Sequence, residues 1–169
     1  GVPKTGGHKG DKWWLPDEVI LKEAWSNILG AFEQFLKAAE KEKVYLAVEA
    51  CIGQVVHDYY STLELMRHFD SKYLCLTFDP SHYLLYGNDI PWAIREWKDK
   101  IKHVHVKDAV GVPGEFGKDF LFPILGEGAI NWNEFFKALD NIGYNGYLSC
   151  EFESFKYMDE VLGNNPVKA

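Results

Sequence analysis

The sequence predicts an α/β chain of the (β/α) barrel type, with about four strands present in its 169 residues. Three observations carry this expectation. Strand-like and helix-like stretches alternate along the chain, the order that builds right-handed βαβ units and a parallel sheet. Four short apolar segments each end on a carboxylate or an imidazole: Glu49, Asp79, His105 and Glu151. In every segment that group shares its parity with the polar positions, and strand side chains alternate faces, so all four fall on one face. Leu46 and Val48 oppose Tyr45, Ala47 and Glu49; Leu74, Leu76 and Phe78 oppose Cys75, Thr77 and Asp79; Val104 and Val106 oppose His103 and His105; Leu148, Cys150 and Phe152 oppose Ser149 and Glu151. A doubly wound sheet would bury both faces and favour continuous Val/Ile runs. One apolar and one polar face suits a barrel, with the polar face as its lumen, and groups at the carboxyl ends of parallel strands stand where such folds place their active sites.

The elements follow in order, within a single domain 1–169. Residues 1–14, rich in Gly and Lys with His8, Trp13 and Trp14, read as a loop. Pro16, Asp17 and Glu18 form a helix first turn, with acids near the positive end of the dipole. Leu21, Trp25, Ile28, Phe32, Phe35 and Ala39 continue at helical spacing to about Lys41. The first strand, Tyr45 to Glu49, is followed by a loop through His57 and a helix near Tyr59 to Phe69. The second strand, Tyr73 to Asp79, is followed by a loop from Pro80 to Ile90 and a helix starting at Pro91. After the third strand, Ile101 to His105, comes a long loop, Lys107 to Gly128, rich in glycine and aromatics. Asn131 with Glu134 three residues later opens a helix carrying Phe135, Phe136 and Leu139 in the manner of a capping box, and Gly143 ends it. The fourth strand, Tyr147 to Phe152, and a short helix, Phe155 to Leu162, complete the chain.

With 47% apolar and 15% aromatic residues the chain can bury a core, and it has no apolar run long enough to span a bilayer. A net charge of −7 argues against a nucleic-acid surface, which needs a basic stripe to neutralise phosphates. The expected partner is a small molecule. Cys51, Cys75 and Cys150 are odd in number and lack CxxC spacing, which fits reduced thiols. Cys75 and Cys150 are read as small core residues of their strands. No leader segment is legible, and the cytoplasm is the default location.

Three carboxylates and one imidazole make a hard, oxygen-rich set that favours Mn²⁺, Mg²⁺ or Co²⁺, Mn²⁺ foremost, with Zn²⁺ also accommodated. Two glutamates within reach of one metal-bound substrate can do proton work, one removing a proton from carbon and the other returning it. That combination serves aldose–ketose isomerisation, epimerisation next to a ketone, and elimination next to a ketone.

At this point five segments match a family. LAVE (46–49), FDPSH (78–82), HVHVKD (103–108), LGEGAINW (125–132) and GYNGYLSCE (143–151) resemble, in the same order, the sugar phosphate isomerase/epimerase group of xylose isomerase-like TIM barrels. The resemblance runs from about residue 1 to 163. It implies that Glu49, Asp79, His105 and Glu151 ligate the metal, that Glu49 and Glu151 are the catalytic acid/base pair, and that His82 contacts substrate or a second metal. The broader superfamily includes apurinic endonucleases of the endonuclease IV type, which need an additional Asp-x-His pair after the HxH strand. Here that stretch reads Gly117-Lys118-Asp119-Phe120-Leu121-Phe122-Pro123, without the pair.

Several residues carry two readings. Lys107, inward at the rim, is either a contact for a substrate oxyanion or a solvated lysine. His8 and Trp14, with Trp13, either close over the sugar or simply pack their loop onto the barrel. Gly126 and Gly128 either cradle a phosphate through backbone N–H groups or shape the turn into the next helix. His103 lies one layer deeper than His105 and reads as a hydrogen-bonded lumen residue, and Glu153 lies beyond the strand end, in support of Glu151.

A complete eight-stranded barrel takes about 250 residues, so four strands are half of one; the resemblance makes them the fifth to eighth, a C-terminal half-barrel. Such a half leaves open edges at the first and last strands. It would expose Tyr45, Ala47, Tyr73, Cys75, Ile101 and Tyr147, so a homodimer or a complementary N-terminal half-barrel is expected to cover them. The first functional expectation is a metal-dependent sugar isomerase or epimerase acting through an enediolate. The alternatives are a keto-sugar lyase or dehydratase of the inosose or 3-keto-glycoside type, and a non-catalytic sugar-binding half-barrel subunit.

Overall fold

The computed structural model describes residues 18–165 and 167. The expectations for His8 and Trp14 lie outside those residues. In the first helix, α1 (Glu18–Glu42), Leu36 and Ala39 are buried and Trp25, Ile28, Leu29 and Phe32 pack beside them. Phe35, expected on the same stripe, is 55% exposed. It precedes Leu36 by one residue and so leaves the i, i+4 row that joins Phe32 to Leu36. After β1 (Leu46–Glu49), α2 (Tyr59–Arg67) opens on Asp58, whose carboxylate accepts from the Ser61 N–H at 2.8 Å while Ser61 Oγ accepts from the Asp58 N–H at 3.0 Å.

β2 (Leu74–Phe78) runs straight into α3 (Pro80–Leu85), a helix where a loop was expected across Pro80 to Ile90. The cause is local: Asp79 at the N-cap and Pro80 at the first helical position are together a start signal. α4 (Ile90–Trp97) is capped by Asp89, and one 3-10 turn leads into β3 (Ile101–Val106). The long loop beyond it contains a small antiparallel pair, β4 (Val110–Gly111) and β5 (Phe120–Leu121). Gly111 has φ 102° there, and a Cβ at that position would collide with the Asp119 carbonyl oxygen. α5 (Trp132–Asn141), β6 (Leu148–Cys150) and α6 (Phe155–Glu160) follow.

β1, β2, β3 and β6 lie side by side in that order, all parallel, as the arc of a partial α/β barrel. Leu74, Leu76, Phe78 and Val104 on one face meet Ile94 and Trp97 of α4 and Phe135 and Leu139 of α5 in the main core. Ile101 breaks the parity. The ladder steps from Leu76 beside Ile101 to Thr77 beside His103, so Lys102 is an extra residue and Ile101 turns into the helix-side core at 3% exposure rather than toward the lumen. Cys75, read both as a core residue of its strand and as part of the layer an open half would expose, is buried as the first reading has it, with its thiol 3.6 Å from the Leu46 carbonyl. A second cluster of Ile52, Leu85, Ala109, Phe116, Phe120 and Phe122 packs residues that follow the carboxyl ends of the strands.

Among the described residues β1 and β6 each have one neighbour. Tyr45 is 59% and Tyr147 83% exposed. Cys150, read from sequence as a core residue, is exposed, because β6 is an edge strand whose apolar face no described helix covers. No described helix is long and apolar enough to cross a membrane.

Candidate metal centre

Glu49 is the last residue of β1, Asp79 stands one residue past β2, His105 is the penultimate residue of β3, and Glu151 stands one residue past β6. The ladder sets Glu49 beside Thr77, Phe78 beside Val104, and His105 beside Ser149, so the four positions are staggered across the sheet. Their side chains nevertheless converge: one donor atom from each lies within 4.8 Å of every other. Two ligands of one hard cation, each about 2.0 to 2.6 Å from it, stand at most about 4 to 5 Å apart. The spacing fits a single divalent ion.

Asp79 shows how the fold aims a ligand. Its Oδ1 accepts the Ser81 N–H at 2.8 Å as the cap of α3, which fixes the carboxylate's rotation. Oδ2 is thereby turned toward Lys107 and His82. It is fully buried and receives no well-aligned hydrogen bond, although Lys107 Nζ stands 3.0 Å and His82 Nε2 3.5 Å away. A buried carboxylate oxygen with open lone pairs is the donor a cation needs. Burial works against the charge of Asp79, but His82 and Lys107 outweigh it and hold the carboxyl below its ordinary range.

His105 Nδ1 stands between the two glutamates, 2.9 Å from Glu49 Oε1 and 3.3 Å from Glu151 Oε2. Burial, and next the charge of Asp79, push Glu49 up to about 7, which leaves it able to hold or release a proton near neutrality. His103 lies beside His105 with its ring edge-on at 5.3 Å and is not one of the four donors.

Lys107 is not solvated: its side chain is 2% exposed. Its ammonium lies 2.7 Å from Glu151, 2.8 Å from Glu153 and 3.2 Å from His82 Nε2, over the Phe122 ring. Burial alone would discharge it, but Asp79 and Glu153 keep it protonated far above neutrality. His82 is buried and its Nδ1 accepts the Ile52 N–H at 3.3 Å. Burial pushes its pKa down to about 4, so the ring is neutral at pH 7. Cys51, at the end of the same turn from β1, is pushed up to about 12 by burial and is no nucleophile.

Sequence reasoning passed over Asp108. Its buried carboxylate accepts the N–H groups of Ala109, Gly126, Gly128 and Ile130 and the indole N–H of Trp132. It ties the start of the long loop to its end. Those N–H groups of Gly126 and Gly128 are therefore engaged, which settles the two readings of this turn in favour of its shape. A Cβ on Gly128 would collide with the Asp108 carboxylate, so the glycine is required. The only sequence signal was position, directly after Lys107 and at the start of a glycine-rich loop.

Three comparisons bear on this arrangement. A family model described as Xylose isomerase-like TIM barrel matches residues 5–167. An inosose dehydratase of Bacillus thuringiensis (strain Al Hakam) is 27% identical over 157 residues, covering 86% of this chain and 51% of the relative. Among solved structures, a D-tagatose 3-epimerase-like protein superposes with a TM-score of 0.67 at 24% identity, over 89% of this chain and 58% of its own. The IOLI protein with a bound zinc atom does so with a TM-score of 0.63 at 22% identity, over 83% and 50% respectively. The structural likenesses show a shared fold. The chain spans about half the length of the curated relatives it matches.

Proposed function

Because this chain belongs to the xylose isomerase-like TIM-barrel family, we propose that it carries the metal and proton-transfer centre of an isomerase or epimerase that acts on a sugar or sugar phosphate through an enediolate. The convergence of Glu49, Asp79, His105 and Glu151 carries the reading. A divalent ion held by these four residues would polarise the substrate carbonyl and offset the charge that develops on its oxygen. Mn²⁺ suits the three carboxylates and single imidazole, and Zn²⁺, present in one protein of this fold, is the second choice. Glu49, ionised once it ligates the metal, removes the proton from the carbon next to the carbonyl; Glu151 returns one. Lys107, paired with Asp79, Glu151 and Glu153, supplies a permanent positive charge beside the site, and His82, whose Nδ1 accepts the Ile52 N–H and whose Nε2 faces Lys107 Nζ, would meet a substrate oxygen only where that oxygen displaces the Nε2–Lys107 contact. The three free cysteines fit a reducing, cytoplasmic setting.

A second reading is favoured by the 27% identity to inosose dehydratases. In a dehydratase the same base removes the proton next to the ketone, and a hydroxyl one carbon further leaves as water with a proton from a nearby acid. The two readings separate in D₂O with Mn²⁺ and a panel of ketoses and inososes. Deuterium exchange or a shifted carbonyl without loss of water supports isomerase or epimerase; loss of water with a new C=C bond supports dehydratase. No exchange with any of them, while Mn²⁺ is bound, would support a non-catalytic sugar-binding half-barrel and overturn both.

A further inference from the structure

We propose that Lys107 is a built-in counter-ion that weakens the metal centre's hold on its ion, and that Glu153 is the positioning residue that limits this effect. The inference rests on the metal-site reading above. Lys107 Nζ has three carboxylate neighbours, Glu151 at 2.7 Å, Glu153 at 2.8 Å and Asp79 at 3.0 Å. Two of them belong to the four-donor group and one, Glu153, does not. The ammonium therefore presses on two of the carboxylates that a divalent ion would use.

Its burial decides how much this matters. An exposed lysine would swing into solvent and its charge would be screened, but a side chain at 2% exposure, under the Phe122 ring at 4.8 Å and against His82, stays in place. Two cations then share Asp79 and Glu151, and their repulsion is felt through a poorly screened interior. Glu153 offers the ammonium a carboxylate of its own. Its Oε2 accepts from Nζ at 2.8 Å, and its negative charge keeps the buried lysine from being paired by the metal ligands alone. One ammonium and one divalent ion against Glu49, Asp79, Glu151 and Glu153 leave the group a single net negative charge. The arrangement gives an exchangeable metal, with an ammonium fixed beside the site where a substrate oxygen is expected.

The test is Mn²⁺ titration by calorimetry, with chelator competition, on the full chain and three variants. Lys107→Met should bind Mn²⁺ about tenfold more tightly or better, from removal of a unit charge within a few ångströms. Glu153→Gln should bind about tenfold more weakly, and less than threefold more weakly in the Lys107→Met background, because its action runs through the lysine. Unchanged or weaker binding by Lys107→Met overturns the proposal, as does an equal loss from Glu153→Gln in both backgrounds. If Lys107→Met does not fold without metal, Glu153→Gln alone decides, since undiminished binding in that variant is also fatal. A wild-type chain that binds no Mn²⁺ rejects instead the underlying metal-site reading.

Discussion

Below neutral pH a proton on Glu49 and a divalent ion compete for the same oxygens. Burial and the neighbouring Asp79 put this carboxyl at about 7, so a metal that ligates it must displace a proton in most molecules at pH 6 and in few at pH 8. Well below 7 each pH unit then lowers the affinity about tenfold, or about 1.4 kcal/mol. Between pH 7, where the group is already half protonated, and pH 5.5 the loss amounts to roughly fifteenfold from this group. Calorimetric Mn²⁺ titrations from pH 5.5 to 8, repeated in buffers of different ionisation heat, read both the affinity and the protons released. Other ligands also bind protons, so the diagnostic quantity is the difference from Glu49→Gln. The wild type should release about one proton more than the variant near pH 6 and no more than it near pH 8. Equal release by the two proteins across the range would show that Glu49 enters the site already ionised, and the argument from burial would fail.

The metal-free protein should respond to pH in the opposite sense from an ordinary paired carboxylate. The Glu49 pKa is raised on folding from 4.5 to about 7, so its contribution favours the fold below 4.5 and is lost as pH rises to 7, by at most about 3 kcal/mol and less because part of the side chain stays exposed; urea denaturation with a chelator present, wild type against Glu49→Gln, reads the difference. Glu151→Gln should abolish deuterium exchange into a ketose substrate while retaining some Mn²⁺ binding through the amide oxygen, and full exchange would remove Glu151 from the proton-transfer role. Asp108→Ala strips the acceptor from four backbone N–H groups and one indole, and should cost about 3 to 5 kcal/mol in denaturant unfolding, each buried donor left unsatisfied costing about 1 to 3 kcal/mol before relaxation; a loss under 1 kcal/mol would mean that water replaces the carboxylate. The edges that β1 and β6 leave unpaired among the described residues, with Tyr45 and Tyr147 exposed, should drive pairing with a second copy or a complementary half-barrel, and sedimentation showing a stable monomer at micromolar concentration would refute this.

How much of this was legible depended on whether the cause was local or shared. Strand ends carrying Glu49, Asp79, His105 and Glu151 could be read because a period of two survives in four or five residues, and the convergence of the side chains follows from parallel strands. The helix after Asp79 had a legible start signal too, and was missed only because six residues are too few to show a period. Ile101 was misassigned for a different reason. The bulge at Lys102 is a property of the pair β2 and β3, and neither strand's sequence announces it alone.

The charged groups were harder still. A lysine at a strand rim is solvated unless something covers it, and what covers Lys107 comes from four places: Asp79 after β2, His82 in α3, Phe122 after β5, and Glu151 with Glu153 after β6. No pattern within HVHVKD distinguishes that lysine from an exposed one. Asp108 is parallel, since its five donors span residues 109 to 132 and only the folded loop assembles them. Parity shows which side chains point into the lumen; the partners they meet are set by segments that the same parity does not connect. The metal ligands are thus the part of the centre that a single strand can encode, and the balance of charge around them is the part that only the assembled fold supplies.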